Sequence, residues 1–130
     1  MSNKYAKVPR VNYDVFKKTT PKEKVEFTLF TNELFENYFE KMGNVIDEFC
    51  EKSIKKLGYK GKLNDMKKIH CFLEENNIEL EQNNAENGTH YYYLKQNHKI
   101  KSVLIVEADL ETNTINYWVK YDIEEVNNNE

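Results

Sequence analysis

The sequence contains almost no arginine. Of its 19 basic side chains, Arg10 alone carries a guanidinium group, and the others are lysines. The planar guanidinium binds phosphate or guanine through two parallel hydrogen bonds, which a lysine ammonium does not offer. Any anion site in this chain must therefore rest on lysine or on the backbone, and sequence-specific reading of DNA is disfavoured.

Cysteine and long apolar runs are also scarce. Cys50 and Cys71 lack the paired spacing of a zinc site, so we expect two reduced thiols in a chain that folds without a structural metal. No run approaches the roughly 20 apolar residues of a membrane-spanning helix. Residues 1–10 lack the apolar core of a signal peptide, and Ser2 stands where myristoylation requires glycine. The sequence predicts a soluble, cytoplasmic protein that does not bind a membrane.

Motifs that would name a reaction are missing as well. The sequence has no Gly-rich phosphate loop, no GxSxG or HExxH motif and no Ca²⁺ loop. His70 and Cys71 are neighbours, but neighbouring side chains on a helix point about 100° apart, which does not suit a shared metal or a catalytic pair. We expect no enzymatic activity, no metal site and no cofactor.

What the sequence does contain is a β-hairpin over residues 100–123. Apolar side chains alternate with others on both arms, and residues 109–114 fit a four-residue loop in which Asn113 takes the left-handed conformation. If Asp109 faces Thr114, alternate residues of the two arms share one face of the sheet. The predicted core face carries Leu104, Val106, Tyr117, Val119 and Tyr121. The opposite face, called the outer face below, carries Val103, Ile105 and Trp118.

Helical spacing dominates the first half of the chain. Thr20, Pro21 and Glu23 have the pattern of a helix start, because threonine caps, proline suits the first helical position and glutamate can bond back to the cap. An apolar stripe then predicts one long helix over about residues 21–57, ended by Gly58. The stripe comprises Phe27, Phe30, Leu34, Phe35, Tyr38, Phe39, Met42, Val45, Ile46 and Phe49.

Two alternatives stay open for this helix. Gly43 and Asn44 are able to end one helix and cap the next. The alternation of Val25, Phe27 and Leu29 also fits a strand. A shorter helix over residues 65–75, capped by Asn64, and strands over residues 78–81 and 90–95 follow.

The order of these elements predicts an α+β fold, with the long N-terminal helix and the short helix packed on one face of a four-stranded antiparallel meander sheet. Residues 1–19 are predicted to be a basic extended tail, and residues 20–130 a single α+β domain. Alternation of Val11, Tyr13 and Val15 favours a segment that adds to a sheet edge or lies over the outer face. The turn before the hairpin decides whether Tyr92 or the pair Tyr91 and Tyr93 joins the core.

The outer face is the predicted partner-binding surface. Its candidate residues are Trp118, Val103, Ile105, Tyr91 and Tyr93. Exposed tryptophan and tyrosine are typical of interface anchors. The sequence therefore predicts a non-enzymatic protein-interaction module that binds a protein partner or a second copy, and more narrowly an inhibitor or immunity-type protein of phage or mobile-element origin. The competing interpretation is that the N-terminal segment covers Trp118 within the molecule.

A nucleic-acid-binding accessory protein is the alternative function. The segment from Lys52 to Lys68 holds seven lysines against Asp65 alone, with Tyr59 as a stacking surface. Its candidate residues are Lys52, Lys55, Lys56, Tyr59, Lys60, Lys62, Lys67 and Lys68. Residues 74–130, which hold the predicted sheet, carry 12 acidic and 4 basic side chains, and this acidity argues against nucleic acid.

Overall fold

A computed structural model of the chain describes residues 13–27, 34–84 and 88–123. The elements in chain order are α1 (Tyr13–Thr19), β1 (Glu23–Glu26), α2 (Leu34–Lys56), α3 (Met66–Glu75), β2 (Ile78–Asn84), β3 (Thr89–Gln96), β4 (Lys99–Asp109) and β5 (Thr114–Lys120). The strands form one antiparallel sheet in the order β1-β5-β4-β3-β2. The predicted α+β class is confirmed, but the described sheet has five strands rather than four.

The additional strand, β1, lies where the sequence predicts the start of the long helix. The Thr20 amide donates to the Phe16 carbonyl at 3.0 Å, so this threonine closes the last turn of α1 instead of capping a new helix. Pro21 then follows a helix end, which is its other common position. Val25 pairs with Ile115 of β5, and the Phe27 amide donates to the Asn113 carbonyl at 2.9 Å. The start at residue 21 is wrong because pairing with β5 prevails over the local capping signal.

The rest of the long helix follows the prediction. α2 runs without a break through Gly43, and Gly58 beyond its end has a φ of +111°. Met42, Val45 and Phe49 are buried against the sheet, whereas Phe39 of the predicted stripe is exposed. Phe30 and the side chains of Leu34 and Phe35 lie outside the described residues.

The short helix α3 begins one residue later than its predicted cap implies. Asp65, rather than Asn64, is the cap, and its Oδ1 accepts a hydrogen bond from the Lys68 amide at 3.0 Å. An aspartate at this position also complements the positive end of the helix dipole.

The register of the β4–β5 hairpin is the predicted one. Asp109 faces Thr114, and Asn113 has a φ of 55°. The predicted core-face residues pack beneath α2, so the helix-facing side of the sheet forms the first core. Its buried members are Phe27, Met42, Val45, Phe49, Ile78, Tyr92, Leu94, Leu104, Val106 and Ile115.

The turn between β3 and β4, together with a bulge in β4, determines which tyrosines face the helices. Asn97 and His98 form a two-residue turn, with φ values of 53° and 67°. Without any change of register, this turn would pair Tyr92 with Val103 on the outer face. An extra residue in β4 shifts the pairing by one, so Tyr92 pairs with Leu104 in the first core, and Tyr91 and Tyr93 lie on the outer face.

A change of register between β3 and β4 alters the face of Ile100. Leu94 pairs with Ser102, but Lys95 pairs with Ile100, so Lys101 is an extra residue in β4. The Lys101 carbonyl accepts a hydrogen bond from the Ile123 amide at 2.8 Å. Simple alternation groups Ile100 with Leu104, whereas the bulge moves it to the outer face.

α1 covers the outer face and makes a second core there. Tyr93, Ile100, Val103, Ile105 and Trp118 are its buried members, packed by Tyr13, Phe16, Tyr91 and Ile123. The Tyr13 ring stacks on the Tyr91 ring at 4.1 Å between centroids. The predicted extended conformation is therefore wrong for residues 13–19, while residues 1–12, including Val11, lie outside the described residues. The boundary between a tail and a domain stays a prediction.

No helix in the three described ranges is long and apolar enough to cross a membrane.

The second core predicts a large cost for truncating Trp118. Because this side chain is enclosed by α1 and β4, the change Trp118→Ala removes buried area and leaves a cavity, and we expect a loss of about 3 to 5 kcal/mol in the free energy of unfolding. Urea denaturation measures this loss. Leu110→Ala, at an exposed turn residue, is the control and should change stability by less than about 0.5 kcal/mol. A Trp118→Ala loss no larger than that of the control contradicts the enclosed position.

Candidate partner-binding site

The residues predicted to bind a partner through the outer face lie together, but they are covered. Val103 and Ile105 are 0% exposed and Trp118 is 8% exposed. Tyr93 is also buried, and Tyr91 is half-buried beneath Tyr13. A partner reaches this cluster only if α1 leaves. With α1 in place, these residues act as core rather than as a docking surface.

Polar contacts also hold α1 on the sheet. Lys17 Nζ forms an ion pair with Glu107 of β4 and lies 5.1 Å from the centre of the Trp118 ring. Both partners of the ion pair are partly exposed, so this contact is worth on the order of 1 kcal/mol or less. Apolar burial by Tyr13 and Phe16 is therefore the larger contribution to the docking of α1.

The lysine segment predicted to bind nucleic acid is spread over the end of α2, the following loop and α3. Lys52 Nζ pairs with Glu48 at 2.8 Å, and Lys56 Nζ pairs with Asp122 at 3.0 Å. The remaining lysines are exposed. They are Lys55, Lys60, Lys62, Lys67 and Lys68.

Tyr59 is not available as a stacking surface for a base. Its side chain is 5% exposed, and its ring meets the Phe72 ring edge-on at 5.4 Å between centroids. The Tyr59 hydroxyl donates to the Lys62 carbonyl at 2.6 Å. Gly61 leaves room for this hydroxyl, which would otherwise meet a Cβ atom. Tyr59 therefore fixes the loop after α2.

An open strand edge is the feature that the sequence interpretation missed. β2 pairs with β3 over seven residues, and no strand of the described ranges pairs with its other side. β1, at the opposite end of the sheet, has four residues. An edge strand presents a row of amides and carbonyls that another strand can pair with, and the longer edge offers more of them.

An apolar groove lies beside the β2 edge on the helix-facing side. It has a volume of about 220 Å³ and lies between α2, α3 and the sheet. Its apolar lining comprises Cys50, Ile54, Leu63, Met66, Ile69, Leu73, Ile78, Leu80 and Leu94. Met66 is 59% exposed and Leu80 is 50% exposed, so two large apolar side chains stand open to solvent here. We call β2 and this lining the edge groove.

The edge groove continues past the first residues of β2. A second depression of about 540 Å³ shares Leu73 and Ile78 with it and is lined further by Glu74, Asn77, Glu79, Asn97 and His98. Together the two hollows follow α3 and the start of β2. This shape suits an elongated ligand better than a compact one.

The Cys50 thiol in the edge groove is expected to be a poor nucleophile. Burial raises the pKa of Cys50 to about 11, and the carboxylates of Asp47 and Glu51 act in the same direction. At neutral pH the group is therefore a protonated, weakly polar thiol. Within the described residues no group of three or more His, Cys, Asp or Glu side chains is arranged to hold a metal ion.

A third cleft lies on another side of α2, next to β5. It has a volume of about 310 Å³ and is lined by Glu23, Val45, Glu48, Phe49, Lys52, Tyr117, Val119 and Tyr121. Burial raises the pKa of both Tyr117 and Tyr121, so the two phenols stay neutral. The Glu48–Lys52 ion pair satisfies two of its charged groups internally.

The sequence held two signals for the edge groove. Ile78 and Leu80 alternate with Glu79 and Glu81, which gives β2 one apolar face. A first strand of a meander is also an edge strand unless a later segment covers it. The position of α3 beside that edge could not be predicted from the sequence, because the placement of a helix depends on contacts between residues that are distant in the chain.

No family model, curated protein or solved structure matches this chain.

The raised pKa of Cys50 predicts slow thiol chemistry. At pH 8 about one Cys50 thiol in a thousand is ionised if its pKa is about 11, and the thiolate is the reactive form. We expect Cys71→Ser, which leaves Cys50, to react with Ellman's reagent on the order of a hundredfold more slowly than Cys50→Ser, which leaves the exposed Cys71. In urea the two rates should converge. Equal rates in the folded variants contradict the placement of Cys50.

Proposed function

We propose that this chain is a non-enzymatic protein-interaction module that binds an extended segment of a partner protein along the edge groove. The observation that carries the proposal is the combination of an open strand edge with an apolar groove beside it. Each alone is common, whereas their conjunction is typical of proteins that bind a peptide by adding it to a sheet.

Backbone hydrogen bonds supply the first part of the binding energy. A segment laid beside β2 pairs with the amides and carbonyls that point away from β3. These bonds do not depend on the identity of the partner's side chains. They fix the segment in the extended conformation, in which alternate side chains point to opposite faces of the sheet.

Apolar contacts supply the second part. Leu80 pairs with Leu94, a member of the first core, and so points to the helix-facing side. Every second side chain of an added segment points to the same side, towards Met66 and Ile69 of α3. Covering the exposed half of a leucine side chain contributes about 1 kcal/mol, and methionine adapts to partners of different shape.

The edge groove replaces the outer face as the proposed docking surface. Trp118, Val103 and Ile105 lie beneath α1, whereas Leu80 and Met66 are open to solvent. A non-enzymatic role accords with Cys50, the nucleophilic side chain lining the edge groove, because it is protonated at neutral pH. The inhibitor or immunity-type role and the phage or mobile-element origin stay predictions.

Selection from a displayed library of random ten-residue peptides tests the proposal. We expect enriched peptides to bind the wild-type protein and to lose at least about tenfold in affinity with Leu80→Asp, because a buried carboxylate opposes apolar contact. Met66→Asp, on the α3 side of the groove, should have the same effect. Fluorescence anisotropy with a labelled peptide measures both.

Leu110→Asp is the matched control, since Leu110 is an exposed leucine in the β4–β5 turn. The affinity of this variant for the labelled peptide should equal that of the wild-type protein. Urea denaturation verifies that all variants are folded. The absence of enriched peptides, or enriched peptides that bind Leu80→Asp and Met66→Asp normally, overturns the proposal.

Nucleic-acid binding is a second candidate function, and the exposure of Lys55, Lys60, Lys62, Lys67 and Lys68 favours it. With five phosphate contacts on a single strand, affinity should fall about a hundredfold between about 50 and 200 mM salt. Anisotropy of a labelled oligonucleotide measures the slope, and replacing Lys60 and Lys62 by glutamate should reduce it. Failure to bind at the lowest salt removes this candidate.

A further inference from the structure

We infer that the partner segment of the edge groove is basic, with lysine or arginine alternating with apolar side chains. This inference rests on the proposed function and adds the chemistry of the ligand. It is carried by the distribution of charge around the groove.

Carboxylates line the edge groove, whereas the exposed Lys62 and Lys67 lie outside its lining, next in sequence to Leu63 and Met66. Asp47 and Glu51 line its α2 side, and Glu74 lines the adjoining depression. Neither lining includes a lysine or arginine in the part of the chain that the structure describes, although the protein has 19 such residues. A cationic segment is therefore attracted to the α2 side of the groove and to the adjoining depression.

The side of β2 that points to the outer face is also negatively charged, like the lining of the edge groove. Glu79 pairs with Lys95 and Glu81 pairs with Tyr93, so both glutamates point to the outer face. Lys95 Nζ contacts Glu81 at 2.6 Å, which leaves one ammonium beside two carboxylates. A lysine or arginine of an added strand lies opposite these glutamates, while its neighbours enter the apolar groove.

The same arrangement disfavours a second copy of this chain as the occupant. Two β2 strands paired edge to edge bring the glutamates of both copies to the same face of the joined sheet. Like charges at neighbouring cross-strand positions are destabilising. The charge pattern thus selects a heterologous, basic segment.

Three synthetic seven-residue probes test the inference. Valine alternates with lysine in the first, with glutamine in the second and with glutamate in the third. At low salt we expect the lysine probe to bind at least about tenfold more tightly than the glutamate probe, with the glutamine probe between them. Peptides enriched from the random library should also carry lysine or arginine at alternate positions.

Variants of Glu79 connect the preference to this strand. Glu79→Gln should lower the affinity for the lysine probe a few fold. Glu79→Lys should lower that affinity further and raise the affinity for the glutamate probe. Glu26→Lys, at an exposed glutamate of the opposite edge strand β1, is the control and should leave all three affinities unchanged.

The outcomes separate the two proposals. If the glutamine probe binds as tightly as the lysine probe and Leu80→Asp abolishes both, the basic character is overturned and the interaction module stands. If the library yields no peptide for the edge groove, the proposed function itself is overturned. A synthetic peptide of residues 1–12 is the last probe. If it binds more tightly than the other probes and Leu80→Asp abolishes its binding, the groove is occupied by this chain itself, and the proposal of a separate partner protein is overturned.

Discussion

The burial of β4 on both faces is the constraint on which the rest of this structure depends. Val103, Leu104, Ile105 and Val106 are consecutive and all fully buried. Consecutive strand residues point to opposite sides, so apolar cover is required both above and below the sheet. α2 supplies it on one side, and α1 supplies it on the other. The fold is therefore three layers deep at β4, with a short helix as the third layer.

This arrangement changes the meaning of an apolar outer face. Trp118 and its neighbours have the composition of an interface, and composition does not distinguish a surface that meets another molecule from one that meets a distant part of the same chain. Burial distinguishes them. With α1 on the outer face, the exposed side chains of Met66 and Leu80 lie together with the open backbone groups of the β2 edge.

The edge groove combines two features that soluble proteins usually avoid, an open strand edge and exposed apolar side chains. A long open edge invites unwanted pairing, and exposed methionine and leucine beside it add to that tendency. The glutamates of β2 oppose pairing with another copy of the chain, because like charges would meet. In the interaction we propose, the same carboxylates attract a basic partner, so one charge pattern would serve both exclusion and recognition.

The sequence by itself determined the features that depend on neighbouring residues. The hairpin register, the left-handed Asn113 and the helix end at Gly58 follow from periodicity and turn chemistry, which act over a few residues. Only the tertiary structure decided the rest. β1 replaces a predicted helix start because β5 offers it a pairing edge, and a bulge at Lys101 turns Ile100 to the opposite face.

The candidate sites follow the same division. Sequence grouped Val103, Ile105 and Trp118 correctly on one face, but their cover by α1 and the enclosure of Tyr59 arise from contacts between residues far apart in the chain. The edge groove likewise requires α3 to lie beside β2, although alternation alone marks the apolar face of that strand. Local sequence patterns predict which side chains share a face of the sheet. Only the tertiary packing decides whether that face contacts solvent, another part of the chain or another molecule.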